Sequence, residues 1–307
     1  MLKLKQTENS VKIEGILSEI DLDYGSFVKN GATVESIGGT IKVQVTQKIN
    51  GEDAILEVPV HMFASKLTNK GTPNPAYESI EKIKTSYVSI AAGGIDAADR
   101  VRITGGSIQM NEYYNQNGQL VSFPRISASF CNRIKKEECA PEATFTVQLV
   151  VLSKGSEVDR DGIETGRYFV KGGIVQYGGK VDIVPFYSTN KGVITGIDTY
   201  WNERDTVKAS GRLNFTSKTE EFVREVDFGE PVVEKRTVSV SELLITGGSQ
   251  TPMEGDFAID WSDMEAGLTE RLARLEKQKE KDAARAGAKT KSAPAPTSSK
   301  AGQDLGF

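Results

Sequence analysis

The sequence predicts a mainly β protein: two small five-stranded barrels in tandem, a short C-terminal helix and a disordered tail. Three observations carry this. The apolar runs are short, rich in Val, Ile, Thr and Tyr, and the chain holds 30 glycines, a pattern of strands punctuated by turns. The order of the runs, three strands, a helical stretch and two strands, occurs twice. Beyond Trp261 the composition changes to a helical stripe and then to Lys, Ser, Ala, Thr and Pro.

The first unit spans residues 1–136. "SVKIEGILSEIDLDYG" alternates as a strand does, and "ATVESIGGTIKVQVTQKINGEDAILEVPVHMFA" reads as two strands joined at Asn50-Gly51, a strong hairpin signal. In "NPAYESIEKIKTSYVSIAAG" the residues Tyr77, Ile80, Ile83 and Tyr87 fall at helical spacings, with Asn74-Pro75 as the start. A long hairpin follows, "DRVRITGGSIQMNEYYNQNGQLVSFPRISASFCNRI", turning at Asn117-Gly118. Three strands, a helix and two strands is the order of an OB-fold, a five-stranded Greek-key barrel.

The second unit, 143–261, repeats the order. It contains a strand "ATFTVQLVVLSKGSEV", a hairpin around Gly178-Gly179, a short connector "NKGVITGIDTYW", and the strands "DTVKASGRLNFTS" and "VVEKRTVSVSELLITGG". The pentapeptide "ITGGS" occurs at 103–107 and 245–249, but at different points of the two units; "VRITGGSIQM" and "VKASGRLNF" correspond by position. Residues 262–286 read as a helix, opened by a Ser262/Glu265 capping box and striped by Met264, Leu268, Leu272 and Leu275, with Trp261 stapling it to the body. Residues 287–307 read as a disordered linker with a docking tip.

Charge and composition exclude several classes. The chain carries 38 Lys/Arg against 42 Asp/Glu, a net charge of −4, so nucleic-acid contact would use a local groove rather than a global field. No apolar stretch approaches the length of a membrane span, and the N-terminus shows no secretory pattern. The chain's one histidine, His61, lies in the strand-like "LEVPVHMFASKL", and with only two cysteines, Cys131 and Cys139, no zinc spacing arises. "YGGKVD" lacks the phosphate-loop frame and reads as a hairpin turn. No catalytic constellation or cofactor fingerprint stands out, so a non-enzymatic protein without metal or cofactor is expected.

Binding chemistry concentrates on the hairpin of the first unit. In 119–131 the even positions Leu120, Ser122, Pro124, Ile126, Ala128 and Phe130 suit the core, which places Phe123 and Arg125 together on the outer face. On the partner strand the apolar parity flips at Gly105-Gly106, a bulge signal, and beyond it Gln109, Asn111 and Tyr113 face outward, with Tyr113 near Phe123. Aromatic rings to stack bases and a guanidinium for phosphate are what a single-strand platform needs. Arg133 and Lys135 extend a basic run after this strand. In the second unit Arg167, Phe169, Lys171, Tyr177 and Arg212 continue the interleaving of basic and aromatic residues. The alternative is that the same faces serve subunit contacts in a structural or assembly protein, a virion component or adaptor.

The hairpin "QMNEYYNQNGQLVSFPRISASF", the polar linker and Asp304-Leu305-Gly306-Phe307 together resemble the single-stranded DNA-binding proteins of bacteria and their phages. That resemblance implies an OB barrel that coats single strands without sequence specificity during replication, recombination and repair. It also implies a bacterial or host-cell cytoplasmic location, and partner enzymes recruited through the tip, where an aromatic ring and a carboxylate are captured together. The tip departs from the family's usual form, with Asp304 as its acid and Gly306 in place of Pro. Tandem barrels are closer to a phage variant than to a cellular housekeeping form. Oligomerisation stays open.

Overall fold

The computed structural model describes residues 4–49, 52–115, 117–159, 161–224 and 232–291. The Asn50-Gly51 turn, the linker beyond Lys291 and the tip 304–307 lie outside these residues. The first half contains β1 (Asn9–Lys29), β2 (Ala32–Ile49), β3 (Glu52–Ser65), α1 (Pro75–Ser86), α2 (Ile90–Ala97), β4 (Arg100–Tyr114), β5 (Leu120–Ser127) and β6 (Asn132–Ile134). The second half contains β7 (Glu142–Val158), β8 (Glu164–Val175), β9 (Val181–Ser188), α3 (Lys191–Tyr200), β10 (Thr206–Arg224), β11 (Val232–Gly248) and α4 (Trp261–Lys291).

Pairing closes twice along the same circuit. In the first barrel β1 pairs β2, β2 pairs β3, β3 meets β5 in parallel at Val60–Ile126 and His61–Ser127, β5 pairs β4, and β4 returns to β1. In the second, β7, β8, β9, β11 and β10 follow one another in the same way, with the parallel contact at Tyr187–Leu244. This is OB topology in both halves. Alternation explains the cores: Leu56, Val58, Val60 and Met62 of β3 all point inward and are fully buried, as period-two strands require. α1 begins as expected, Asn74 accepting from the Ala76 N–H at 3.1 Å, and buries Tyr77, Ile80 and Ile83.

The two barrels are joined by their first strands. β1 pairs antiparallel with β7 from Asn9–Val147 to Glu14–Glu142. Val11 precedes the β1 irregularity at Leu17 by the same interval as Phe145 precedes that of β7 at Val151. Val11 and Phe145 are therefore counterparts, and they face each other in the ladder. The joint is a local two-fold between equivalent strands.

The parity flip at Gly105-Gly106 is a bulge. The β1–β4 register shifts between Val11–Gly106 and Ile13–Ile103, and Gly105 takes a φ of 77°, where glycine is the default residue. Past it β4 leaves β1, and polar side chains satisfy its backbone. Asn9 donates to the Ile108 carbonyl at 2.8 Å and accepts from its N–H at 2.9 Å. Gln176 of the second barrel also donates to that carbonyl at 2.8 Å, and buried Asp182 accepts from the Met110 N–H at 3.3 Å. Glu14, buried between the barrels, accepts from Arg102 Nε and the Ala140 N–H, both at 2.7 Å; the Arg102 hydrogen bond holds its carboxyl below the usual range.

Several expectations change. The helix predicted for 262–286 spans Trp261–Lys291, so residues 287–291, read as linker, are helical. Asp260, not Ser262, caps it, accepting from the Ser262 N–H at 2.8 Å. Leu272 of the predicted stripe is exposed, while Arg271 is buried against Glu112. Leu120 and Ser122 are exposed because the hairpin extends past the barrel core; Phe130 is exposed because β5 ends at Ser127 and alternation stops there. α2, which buries none of its side chains, has no counterpart in the sequence reading.

Gly211 is the counterpart of Gly106, each opposite the central residue of the joint. A Cβ at Gly211 would lie 2.0 Å from the Leu244 carbonyl oxygen and 2.4 Å from Phe145 Cζ. Gly211→Ala is expected to cost about 3 kcal/mol through overpacking, read as a lowered denaturant midpoint at unchanged slope. Gly106→Ala, whose nearest neighbour would be Val11 Cβ at 3.5 Å, should cost less.

Candidate nucleic-acid interface

The β4–β5 hairpin positions the aromatic residues. Its register sets Asn111 against Phe123, Gln109 against Arg125 and Tyr113 against Val121, so the odd-numbered residues share the outer face. Tyr113 and Phe123 are 41% and 40% exposed, and their rings meet edge to face with centroids 6.5 Å apart. The even-numbered residues point the other way, onto α4. There Arg271 pairs with Glu112, the Tyr114 N–H donates to Asp282 at 3.1 Å, and Lys279 sits 5.8 Å from the Tyr114 ring centre. The hairpin is thus braced on one side and open on the other.

Arg125 continues the open face toward β3. Its Nε is buried with no hydrogen-bond partner among the described residues, and burial lowers its pKa from the usual guanidinium value. A guanidinium stays protonated at neutral pH all the same, so a cation with an unsatisfied donor stands beside the aromatic pair. His61 lies on the same face, half-exposed in β3, where the sequence suggested a strand or rim residue. Burial first, and then the charge of Arg125, push its pKa below that of a free imidazole, with a backbone hydrogen bond to Gly39 opposing.

Beyond His61, Phe63 is 53% exposed and packs on Phe27 of the β1–β2 hairpin, centroids 6.1 Å apart. Phe27 also lines an open cleft of about 890 Å³, together with Lys29, Lys66 and Leu67 among others. The sequence reading missed this ring pair. The available signal was Phe63 occupying an odd, outward position in a strand whose core residues are all even.

The remaining candidates are not brought to this face. Arg133 lies on β6, at the opposite end of β4 from Tyr113, bonded to Asp99 at 2.8 Å and stacked 4.4 Å from the Tyr87 ring centre. Lys135 is exposed, 3.8 Å from Glu138. Arg167, Phe169 and Lys171 do share one face of β8, with Lys171 Nζ 5.8 Å from the Phe169 ring centre. Arg167, however, is held by Glu157 at 3.1 Å and Glu242 at 2.8 Å, over the Tyr187 ring. Tyr177 is 89% exposed in the turn between β8 and β9. Arg212 donates to the Lys48 carbonyl at 2.7 Å, on the rim of a pocket of about 420 Å³.

Among the described residues no group of three or more His, Cys, Asp or Glu is placed to hold a metal ion, and no helix is long and apolar enough to cross a membrane. Cys131 is buried, and burial raises its thiol pKa to about 12. A family model described as YorF matches residues 7–281. The chain belongs to the YorF family. Among solved structures, this YorF-family chain is similar to the wild-type single-stranded DNA binding protein from Thermus aquaticus, at 9% identity and a TM-score of 0.46, over 84% of this chain and 99% of that one. A deletion mutant of the same Thermus aquaticus protein matches at 9% identity and a TM-score of 0.46, over 81% of this chain and 97% of that one. A search of the curated proteins gave no match.

His61 is the single histidine of the chain, so its imidazole signals in a proton NMR titration need no assignment. They are expected to titrate below the free-imidazole range. Arg125→Gln removes the neighbouring charge and should move the midpoint up, toward that range; an unchanged midpoint would leave desolvation as the whole cause.

Proposed function

We propose that the chain binds single-stranded DNA without sequence specificity, and that the outer face of the first barrel's β4–β5 hairpin is the primary contact. The observation that carries this is the grouping of Tyr113, Phe123 and Arg125 on one open face: two exposed rings and a guanidinium with an unsatisfied donor. Bases stack on such rings for roughly 1–3 kcal/mol each whatever their identity, and the arginine neutralises a phosphate. The face also belongs to the hairpin between the fourth and fifth strands, which OB-folds commonly use for oligonucleotides. Coating of single strands fits replication, recombination or repair of DNA, in a bacterial or infected cytoplasm, with Asp304-Leu305-Gly306-Phe307 recruiting partner enzymes.

Fluorescence anisotropy with labelled oligo-dT, oligo-U and a duplex tests this. Tight binding to oligo-dT at low salt is expected, weakening as salt rises because neutralised phosphates release counterions. Phe123→Ala and Tyr113→Ala should each weaken binding about tenfold; no binding of any single strand at low salt would sink the proposal. Deleting 304–307 should leave oligo-dT affinity intact and abolish co-purification of replication or recombination enzymes from the host. Equal loss of DNA affinity would instead make the tip a strand contact.

A further inference from the structure

The duplicated circuit allows the binding face of one barrel to be compared with the other, position by position. Two separate ladders give the same alignment. Through the first strands, Val11 pairs Gly106 and its counterpart Phe145 pairs Gly211; the next residues, Ser107 and Arg212, pair Ser127 and Leu244. Through the parallel contacts, His61 pairs the same Ser127 and Tyr187 pairs the same Leu244. Further matches follow: Lys42 lies opposite Pro59 as Lys171 lies opposite Pro185. With the register set, Gln109 and Asn214 are counterparts, and their ladder partners are Arg125 and Glu242. One pair further out, the partners of Asn111 and Thr216 are Phe123 and Val240.

The second barrel thus has a carboxylate where the first has its arginine, and a Val where the first has a stacking ring. Arg125 lies between the buried Pro124 and Ile126, and Glu242 has the parity opposite to that of the buried Leu243 and Ile245, so both point away from the core of their own barrel. Glu242 accepts from Asn214 at 3.1 Å and pairs with Arg167 at 2.8 Å, and Glu157 takes the other side of that guanidinium at 3.1 Å. Two carboxylates on one arginine leave a local negative charge over the Tyr187 ring. A phosphate arriving there would be repelled, and would have to displace a carboxylate to reach the cation.

We propose that Glu242 restricts strand contact to the first barrel, so that Arg167 and Phe169, though basic and aromatic, do not bind nucleic acid in the native chain. This rests on the strand-binding reading above, and it makes the two barrels unequal: one holds the strand, the other is held off it by a single charge. Anisotropy titrations of the full chain with oligo-dT across a salt series test it. Glu242→Arg, which gives the second barrel the residue of the first, should raise affinity about tenfold and steepen the slope of log affinity against log salt by about 0.7. The reciprocal Arg125→Glu should lower affinity at least about tenfold.

Should Glu242→Arg fail to fold, Glu242→Gln removes the charge with little change of shape, and a rise of about threefold is expected. Wild-type binding that is untouched in affinity and salt slope by a folded Glu242 variant overturns this inference alone. So does Phe169→Ala weakening the wild type as much as Phe123→Ala. Absence of any wild-type binding overturns the strand-binding reading itself, and this inference with it.

Discussion

The antiparallel ladder between β1 and β7 is the constraint on which the rest depends. In each barrel the first strand is bent at an irregularity; its second half pairs the second strand and its first half pairs the fourth. That leaves one edge of the first half with unpaired backbone groups, which are costly when buried and prone to pairing with other chains when exposed. Each barrel fills the vacancy of the other. The result is one eleven-stranded sheet and one main core that draws on both barrels, so neither half is complete alone. Polar side chains reinforce the joint: Gln176 and Asp182 of the second barrel meet the Ile108 carbonyl and the Met110 N–H of the first, and Asn9 donates to Gln176 at 3.3 Å.

The fixed relation between the barrels sets what each face can do. α4 runs from the second barrel, where Met264 is buried and Arg274 donates to the Val181 carbonyl, to the first barrel's β4, where Arg271 and Asp282 brace the hairpin. A two-stranded hairpin projecting past its core is marginal by itself. Braced from behind, it presents Tyr113, Phe123 and Arg125 in a defined geometry, which would lower the ordering cost of the strand contact proposed for it. On the other side the β10–β11 hairpin lies against β3: Phe215, Thr216, Val240 and Ser241 share a pocket with Lys42, Glu57 and Pro59. Part of the first barrel's β2–β3 face is therefore covered by its own sister barrel.

Much of this was legible in the sequence because strands carry a strict period of two. Parity alone placed Phe123 and Arg125 on one face, brought Tyr113 beside Phe123 and located the bulge at Gly105-Gly106. Punctuation supplied the element order, and the order supplied the topology. Period arguments fail where the strand ends, as at Phe130, or where the core ends, as at Leu120. They also fail for α4 beyond Leu275, where Lys279 and Asp282, rather than an apolar stripe, meet Tyr114 of β4. The surroundings of the second barrel's candidates were not legible for a different reason. Arg167, Phe169 and Lys171 do share a face, but the carboxylates that occupy Arg167 come from β7 and β11, distant in sequence.

By itself, then, the sequence determined the strands, their faces and the double order of elements, since these follow from local periodicity and turn chemistry. It also determined that Tyr113, Phe123 and Arg125 share a surface. Only the tertiary structure decided that the two barrels complete each other through Val11 and Phe145, that α4 braces the hairpin, and that Glu242 stands where Arg125 would be. Those facts depend on which edges and charges meet across long stretches of chain, and no local period encodes the meeting of residues so far apart.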